Sequence, residues 1–83
     1  MSHPPVEIRV PPFGQGLEEI LLVAWTTEPG QALQRGDPVA EVETAKSSNE
    51  IVADREGVVQ CLLAEPGAIL KVGAPLYLLT VSQ

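Results

Sequence analysis

The chain has 83 residues, 45% of them apolar, and a formal net charge of −6 from 11 acids against 5 bases. That length carries one domain with a thin core, since a chain this short buries only a little over ~60% of its unfolded surface. The acidic balance argues against nucleic acid and anionic membrane as partners and favours basic protein surfaces, and the single cysteine, Cys61, excludes an internal disulfide and fits a reducing compartment.

Eight prolines and seven glycines interrupt the sequence every few residues and leave little room for an ordinary helix. No apolar run approaches the ~18 residues of a membrane span, and Met1-Ser2-His3-Pro4-Pro5 lacks the basic start and apolar stretch of a signal peptide. Val6, Ile8 and Val10 alternate with Glu7 and Arg9, which predicts a half-buried strand. Pro11 to Gly16 is rich in turn residues and holds Phe13, the only phenylalanine. Ile20 to Trp25 is a short run of strand formers. A helix over Leu17 to Trp25 is the alternative, since Glu18 and Glu19 suit a first helical turn, but Pro29-Gly30 arrive too soon for it. Val39 to Glu43 alternates weakly, with Ala40 and Val42 on one face, and Ile51 to Ala53 is brief. Val58 to Leu63 places Val59, Cys61 and Leu63 on one face, and Leu76 to Val81 is the last strand. Many short strands separated by turn signals predict an all-β sandwich or barrel.

The segment Glu28-Pro29-Gly30-Gln31-Ala32-Leu33-Gln34-Arg35-Gly36-Asp37-Pro38 recurs, 37 residues later, as Glu65-Pro66-Gly67-Ala68-Ile69-Leu70-Lys71-Val72-Gly73-Ala74-Pro75. Both read E-P-G-x-x-L-x-x-G-x-P. The physical content is a turn at Pro-Gly, a core plug at Leu33 or Leu70, a second turn at Gly36 or Gly73, and a strand opened by Pro38 or Pro75 where no ladder donor is lost. A duplicated half-domain predicts an internal twofold. The same offset carries Lys46 onto Gln83 and, backwards, onto Arg9. The first and last strands should therefore lie side by side, with both chain ends opposite Lys46.

Lysine is scarce: there are only Lys46 and Lys71. Lys46 stands between the repeats in Glu43-Thr44-Ala45-Lys46-Ser47, between two strand-like segments, where a loop of this size is usually built on a type I turn. Ala45 and Ser47 are too small to wall in its stem, and its nearest charged neighbours, Glu41, Glu43 and Glu50, are all acids. A free lysine amine is a poor nucleophile at neutral pH. Lys46 is better suited to being modified by another enzyme than to catalysis. His3 stands alone and makes a metal site improbable, Gly14-Gln15-Gly16 is too short for a phosphate loop, and Cys61 reads as a buried apolar residue.

With Arg35-Gly36-Asp37-Pro38-Val39-Ala40-Glu41-Val42 before it and Gly57-Val58-Val59 after it, Glu43-Thr44-Ala45-Lys46-Ser47 resembles the lipoyl domains of the acyltransferase (E2) components of 2-oxo acid dehydrogenase complexes. The resemblance implies an all-β fold, a flattened β-barrel or sandwich of two four-stranded sheets related by a quasi-twofold axis. It covers one domain over residues 1–83, with a core of about 6–81. It implies lipoic acid in amide linkage on Lys46. Glu43 takes the place of the acid read by the lipoylating enzyme, Gly30 and Gly57 take the places of glycines that shape the fold, and the loop holding Phe13 that of a segment read by partner enzymes. Phe13 itself either makes such a contact or plugs the end of the barrel.

Ala45 and Ser47 stand where the family most often has Asp and Ala, which alters the surface a partner would read. Asn49 stands where an apolar residue is usual. The implied function is that of a non-catalytic acyl carrier, a swinging arm. Its partners would be a lipoate ligase or lipoyl transferase, a thiamine-dependent dehydrogenase (E1), the acyltransferase core (E2) and dihydrolipoamide dehydrogenase (E3). The implied location is the cytoplasm in a bacterium or the mitochondrial matrix in a eukaryote. The alternatives are a biotinyl carrier of a carboxylase, whose lysine is usually flanked by methionines whereas Met1 is the only one here, and an unmodified interaction module.

Overall fold

The computed structural model describes residues 4–12, 16 and 18–81. Eight strands follow one another: β1 (Val6–Arg9), β2 (Glu19–Trp25), β3 (Ala32–Leu33), β4 (Pro38–Glu43), β5 (Ser48–Val52), β6 (Gly57–Leu62), β7 (Ile69–Lys71) and β8 (Pro75–Thr80). Among the described residues there is no helix, and the strand reading of Ile20 to Trp25 holds as part of β2. Pro38 and Pro75 do open strands, where a missing N–H costs the ladder nothing.

The strands form two antiparallel four-stranded sheets, ordered β1-β8-β6-β3 and β5-β4-β2-β7. No strand ladder joins one sheet to the other, so the architecture is a sandwich rather than a closed barrel. Adding 37 to a residue of β2, β3 or β4 gives its counterpart in β6, β7 or β8, and β5 corresponds to β1. The correspondence extends to register. Leu22 faces Val42 as Val59 faces Leu79, Trp25 faces Ala40 as Leu62 faces Tyr77, and Ile20 faces Leu70 as Gly57 faces Leu33. It extends to the bulges at Val23 and Gln60, and to the bonds that prolong the β3–β6 and β7–β2 ladders, from Gly30 N–H to Val59 C=O and from Gly67 N–H to Leu22 C=O, 2.8 and 2.7 Å. The twofold inferred from the repeat is therefore structural.

Between the sheets lies a single apolar layer that includes Ile20, Leu22, Leu33, Val39, Val42, Ile51, Val59, Leu76, Tyr77 and Leu79. Against this layer packs half-buried Trp25, whose ring meets Tyr77 edge-on at 6.3 Å and whose indole N–H donates to the Ala64 carbonyl at 3.0 Å. The bulges correct the simple alternation expected for Val58 to Leu63. The extra residue at Gln60 reverses the facing beyond it, so Leu62 packs on the core, Leu63 is 42% exposed and Cys61 is half-buried rather than buried.

Gly30 and Gly57 hold their positions for different reasons. Gly30 has φ +91°, a conformation that L side chains rarely adopt. Gly57 is buried, and a Cβ there would lie 2.6 Å from the Thr80 carbonyl oxygen and 2.9 Å from Leu79 Cγ. That close approach puts the end of β8 beside Gly57. Four residues earlier, Ala53 donates to the Asp37 carbonyl at the base of the β4–β5 pair. β1 pairs with β8, Val6 facing Leu79. Both chain ends therefore emerge near the base of β4–β5, the length of a strand away from the tip between them.

Candidate functional site

β4 and β5 form a hairpin whose last ladder pair is Glu43 and Ser48. Four residues close it, Thr44 to Ser47, and none has positive φ. That excludes the mirror-image turns of two-residue hairpins and agrees with the loop expected from the sequence. Backbone and side chain hold the loop together. The Thr44 N–H donates to the Ser47 carbonyl at 2.8 Å. The Thr44 hydroxyl accepts the N–H groups of Lys46 and Ser47, each at 3.2 Å, and donates to the Ser47 carbonyl at 3.1 Å. A threonine hydroxyl used in this way stands in for a backbone turn bond and needs no glycine.

Lys46 is exposed at the tip between exposed Ala45 and Ser47, and it makes no ion pair among the described residues. Glu43, on the first ladder rung below the tip, is exposed as well. Asn49 is half-buried, and its amide donates to Ser47 Oγ at 3.2 Å, tying the base of the loop to β5. This accounts for a polar residue at that position. A depression of about 430 Å³ on one side of the tip is lined by Gly16, Glu18, Glu19, Ala45 and Lys71. Another of about 410 Å³ lies against Val23, Glu41, Glu43 and Glu50. Lys71, the second lysine, sits at the end of the edge strand β7, opposite Glu19, rather than on a loop.

Of the residues singled out in the sequence, Glu43, Ala45, Lys46 and Ser47 come together at this end. Gly57 lies near the opposite end, and Gly30 is in the turn whose N–H bonds Val59 beside it. Both glycines act on the backbone. Phe13 lies outside the described residues. The residue that sequence reasoning passed over is Thr44. Its signal was available: a Thr two and three positions before the N–H groups that it serves is a known turn device. Among the described residues no group of His, Cys, Asp and Glu is arranged to hold a metal. The tip offers one unhindered primary amine on a short, well-braced loop. Such an arrangement suits amide formation by a second enzyme and has none of the neighbours that would activate a lysine as nucleophile.

The sequence pattern of a family described as "Biotin-requiring enzyme", which covers biotinyl and lipoyl attachment domains, matches residues 6–79. The chain is 33% identical over 67 residues to the dihydrolipoyllysine-residue succinyltransferase component of the 2-oxoglutarate dehydrogenase complex of Staphylococcus saprophyticus, covering 81% of this chain and 16% of that protein. It is 34% identical over 74 residues to the lipoamide acyltransferase component of the branched-chain alpha-keto acid dehydrogenase complex of Pseudomonas aeruginosa, covering 89% and 17%. The chain thus spans about one-sixth of the length of these relatives. Among solved structures, the lipoyl domain of the 2-oxoglutarate dehydrogenase complex from Azotobacter vinelandii superposes with a TM-score of 0.73 at 26% identity, over 94% of this chain and 99% of that one.

Proposed function

The chain belongs to the biotinyl/lipoyl attachment family as a lipoyl domain, and from that premise we propose that it is a non-catalytic carrier with lipoate in amide linkage on Lys46. The observation that carries this reading is the placement of Lys46 alone and exposed at the tip of the β4–β5 hairpin, with no ion-pair partner among the described residues. The fit is chemical. Amide formation needs an accessible amine with small neighbours, and Ala45 and Ser47 leave the stem free. When bound, lipoate supplies a dithiolane that can take up an acyl group with reduction, release it to coenzyme A and be reoxidised.

This chain's residues present the arm and keep it clear of the body. Thr44 fixes the loop from which Lys46 projects, and the paired chain ends leave the sandwich far from that loop. Any linker to a larger protein would then depart where it does not obstruct the arm. Tethering raises the effective concentration of the carried group to the order of mM. The partners on this reading are a lipoate ligase or lipoyl transferase, a thiamine-dependent 2-oxo acid dehydrogenase, an acyltransferase core and dihydrolipoamide dehydrogenase.

The test is intact-mass analysis of the chain after incubation with lipoate–protein ligase, ATP and lipoate, followed by peptide mapping. One lipoyl group on Lys46 and none on Lys71 is the expected result. Lys46→Arg keeps the charge and removes the acylable amine, so it should stay folded and unmodified. Lipoylation of that variant at the parent rate, or a biotinyl mass on protein from its natural host, refutes the reading.

A further inference from the structure

The internal twofold provides its own control. Residues related by the 37-residue offset meet the same backbone, so what the fold demands recurs in both halves. A solvent-side difference between counterparts is free of that demand. On the outer face of the sheet that carries the hairpin, Ile69, Leu21 and Glu43 stand in one cross-strand row at the first rung below the tip. Glu41 and Glu50 face each other in the next row, with Val23 in the bulge beside them.

The other sheet carries an exposed apolar residue as well, since half-buried Leu21 has Val58, 40% exposed, as its counterpart, but it differs at the remaining positions. Ile69, 68% exposed, has Ala32 as its counterpart, and Val23, 41% exposed, has Gln60, which accepts a bond from the Thr80 hydroxyl at 2.6 Å. Glu41 opposite Glu50 is an arrangement that like charges disfavour. Its counterpart is Leu78 opposite Glu7, and Glu7 pairs with Arg9 at 2.7 Å. Among the described residues none of Glu41, Glu43 and Glu50 has an ion-pair partner. Lys71, on the same face, stands opposite Glu19. At Ile69 and Val23 the hairpin sheet thus bears exposed apolar side chains that their counterparts lack, and it carries three carboxylates without an ion-pair partner among the described residues, differences that the twofold does not require.

We propose that the docking surface for the ligase that acylates Lys46 extends beyond Glu43 over this face, with Leu21, Val23 and Ile69 bordered by Glu41 and Glu50. The complementary surface is apolar at its centre with lysines and arginines along one border. The proposal rests on the reading of Lys46 as the lipoyl attachment site. Reach singles out the occupant. An enzyme acting on the bare amine must bring its active site within one lysine side chain of the tip, and Glu43 is the rung next to the tip. Enzymes served later meet the end of a longer arm and need not close on this face. Carboxylates that repel one another in the free domain gain most from cations on the partner, and such pairing weakens with salt.

The test is initial lipoylation rates of the whole chain with lipoate–protein ligase, ATP and lipoate. Ile69→Ser, and Glu41→Gln with Glu50→Gln, should each raise KM for the domain by ~5–10-fold with little change in kcat. The double Gln variant should also flatten the dependence of KM on ionic strength. Removing the Glu41–Glu50 repulsion does not weaken the fold, so that loss cannot be assigned to unfolding. The counterpart changes Ala32→Ser and Glu7→Gln should leave KM unaltered. Unchanged KM in the hairpin-sheet variants, or an equal rise from the counterparts, overturns the proposal. Normal lipoylation with slowed reductive acylation by the thiamine-dependent dehydrogenase also overturns it, because the face then belongs to that enzyme. A parent chain left unmodified at Lys46 overturns instead the reading of the site.

Discussion

Replacing Gly57 by alanine tests the close approach of β6 and β8 at the end away from Lys46. The added Cβ would lie 2.6 Å from the Thr80 carbonyl oxygen and 2.9 Å from Leu79 Cγ, and both atoms must give way. The carbonyl belongs to β8, whose Thr80 pairs with Val58, so it cannot move without disturbing that ladder. Overpacking of a core costs ~1–3 kcal/mol, and backbone involvement sets the upper end here. Against this stands the gain of up to ~1 kcal/mol from a less flexible unfolded chain, available because Gly57 does not need positive φ. The net loss is about 2 kcal/mol, which for a domain of this size lowers Tm by ~8–16 °C.

Gly30→Ala provides the comparison. Nothing lies within 4 Å of its Cβ, so its cost is the left-handed backbone alone, roughly 1–2 kcal/mol. Urea and thermal unfolding of both variants measure these values. At temperatures where Gly57→Ala is folded, its lipoylation kcat/KM should match the parent, because the change is remote from the tip. A Gly57→Ala domain within ~0.5 kcal/mol of the parent would refute the steric argument.

Three further outcomes follow from the site and the core. Thr44→Val removes the acceptor for two tip N–H groups and should cost ~0.5–1.5 kcal/mol; unlike Gly57→Ala, it should also slow lipoylation, and unchanged rates would show that the loop needs no such brace. Moving the lysine one place, Ala45→Lys with Lys46→Ala, should sharply reduce modification by the same ligase, and equal labelling would show that the tip position is irrelevant. Burial, and secondarily the charge of Asp54, raises the Tyr77 phenol above its ordinary value of 10.0, an effect that Arg55 partly offsets. A raised native pKa gives stability that is complete below the unfolded value and is lost as pH rises through the native one. Stability should therefore decline above pH ~10, and Tyr77→Phe should remove that part of the decline; equal slopes for parent and variant in alkaline unfolding would refute the assignment.

Much of the fold was legible because the repeat ties local chemistry to long-range pairing. The Pro-Gly turns and the strand openings at Pro38 and Pro75 lie where the two copies of E-P-G-x-x-L-x-x-G-x-P put them, and of the two leucines Leu33 is in the core while Leu70 is half-buried and packs against it. The side-by-side placement of β1 and β8 followed from the 37-residue offset. The bulges were not legible. At Val23, Val39 and Gln60 the alternation slips because of what the neighbouring strand does, and an apolar pattern read along one strand carries no record of that. The start of β5 was missed for a related reason. Ser48, Asn49 and Glu50 belong to an edge strand close to the tip, where only Ile51 is fully buried, so no apolar run announces them. The exposed Lys46 loop was legible from small neighbours and chain position; the bracing by Thr44 was legible too, from its place two and three residues before the N–H groups it serves, but was passed over.

The pairing of Val6 with Leu79 repeats, across the twofold, the pairing of Asn49 with Val42. The junction of the first and last strands is in this sense a hairpin left open. A short loop from Thr80 to Val6 would close it, and a cut between Ala45 and Lys46 would open its twin, giving a permuted chain with every ladder pair intact. Which corner bears the lysine is then a matter of decoration rather than of architecture. A closed domain given a Thr-Ala-Lys-Ser loop at the new corner would present two arms on one body, each at an opposite end.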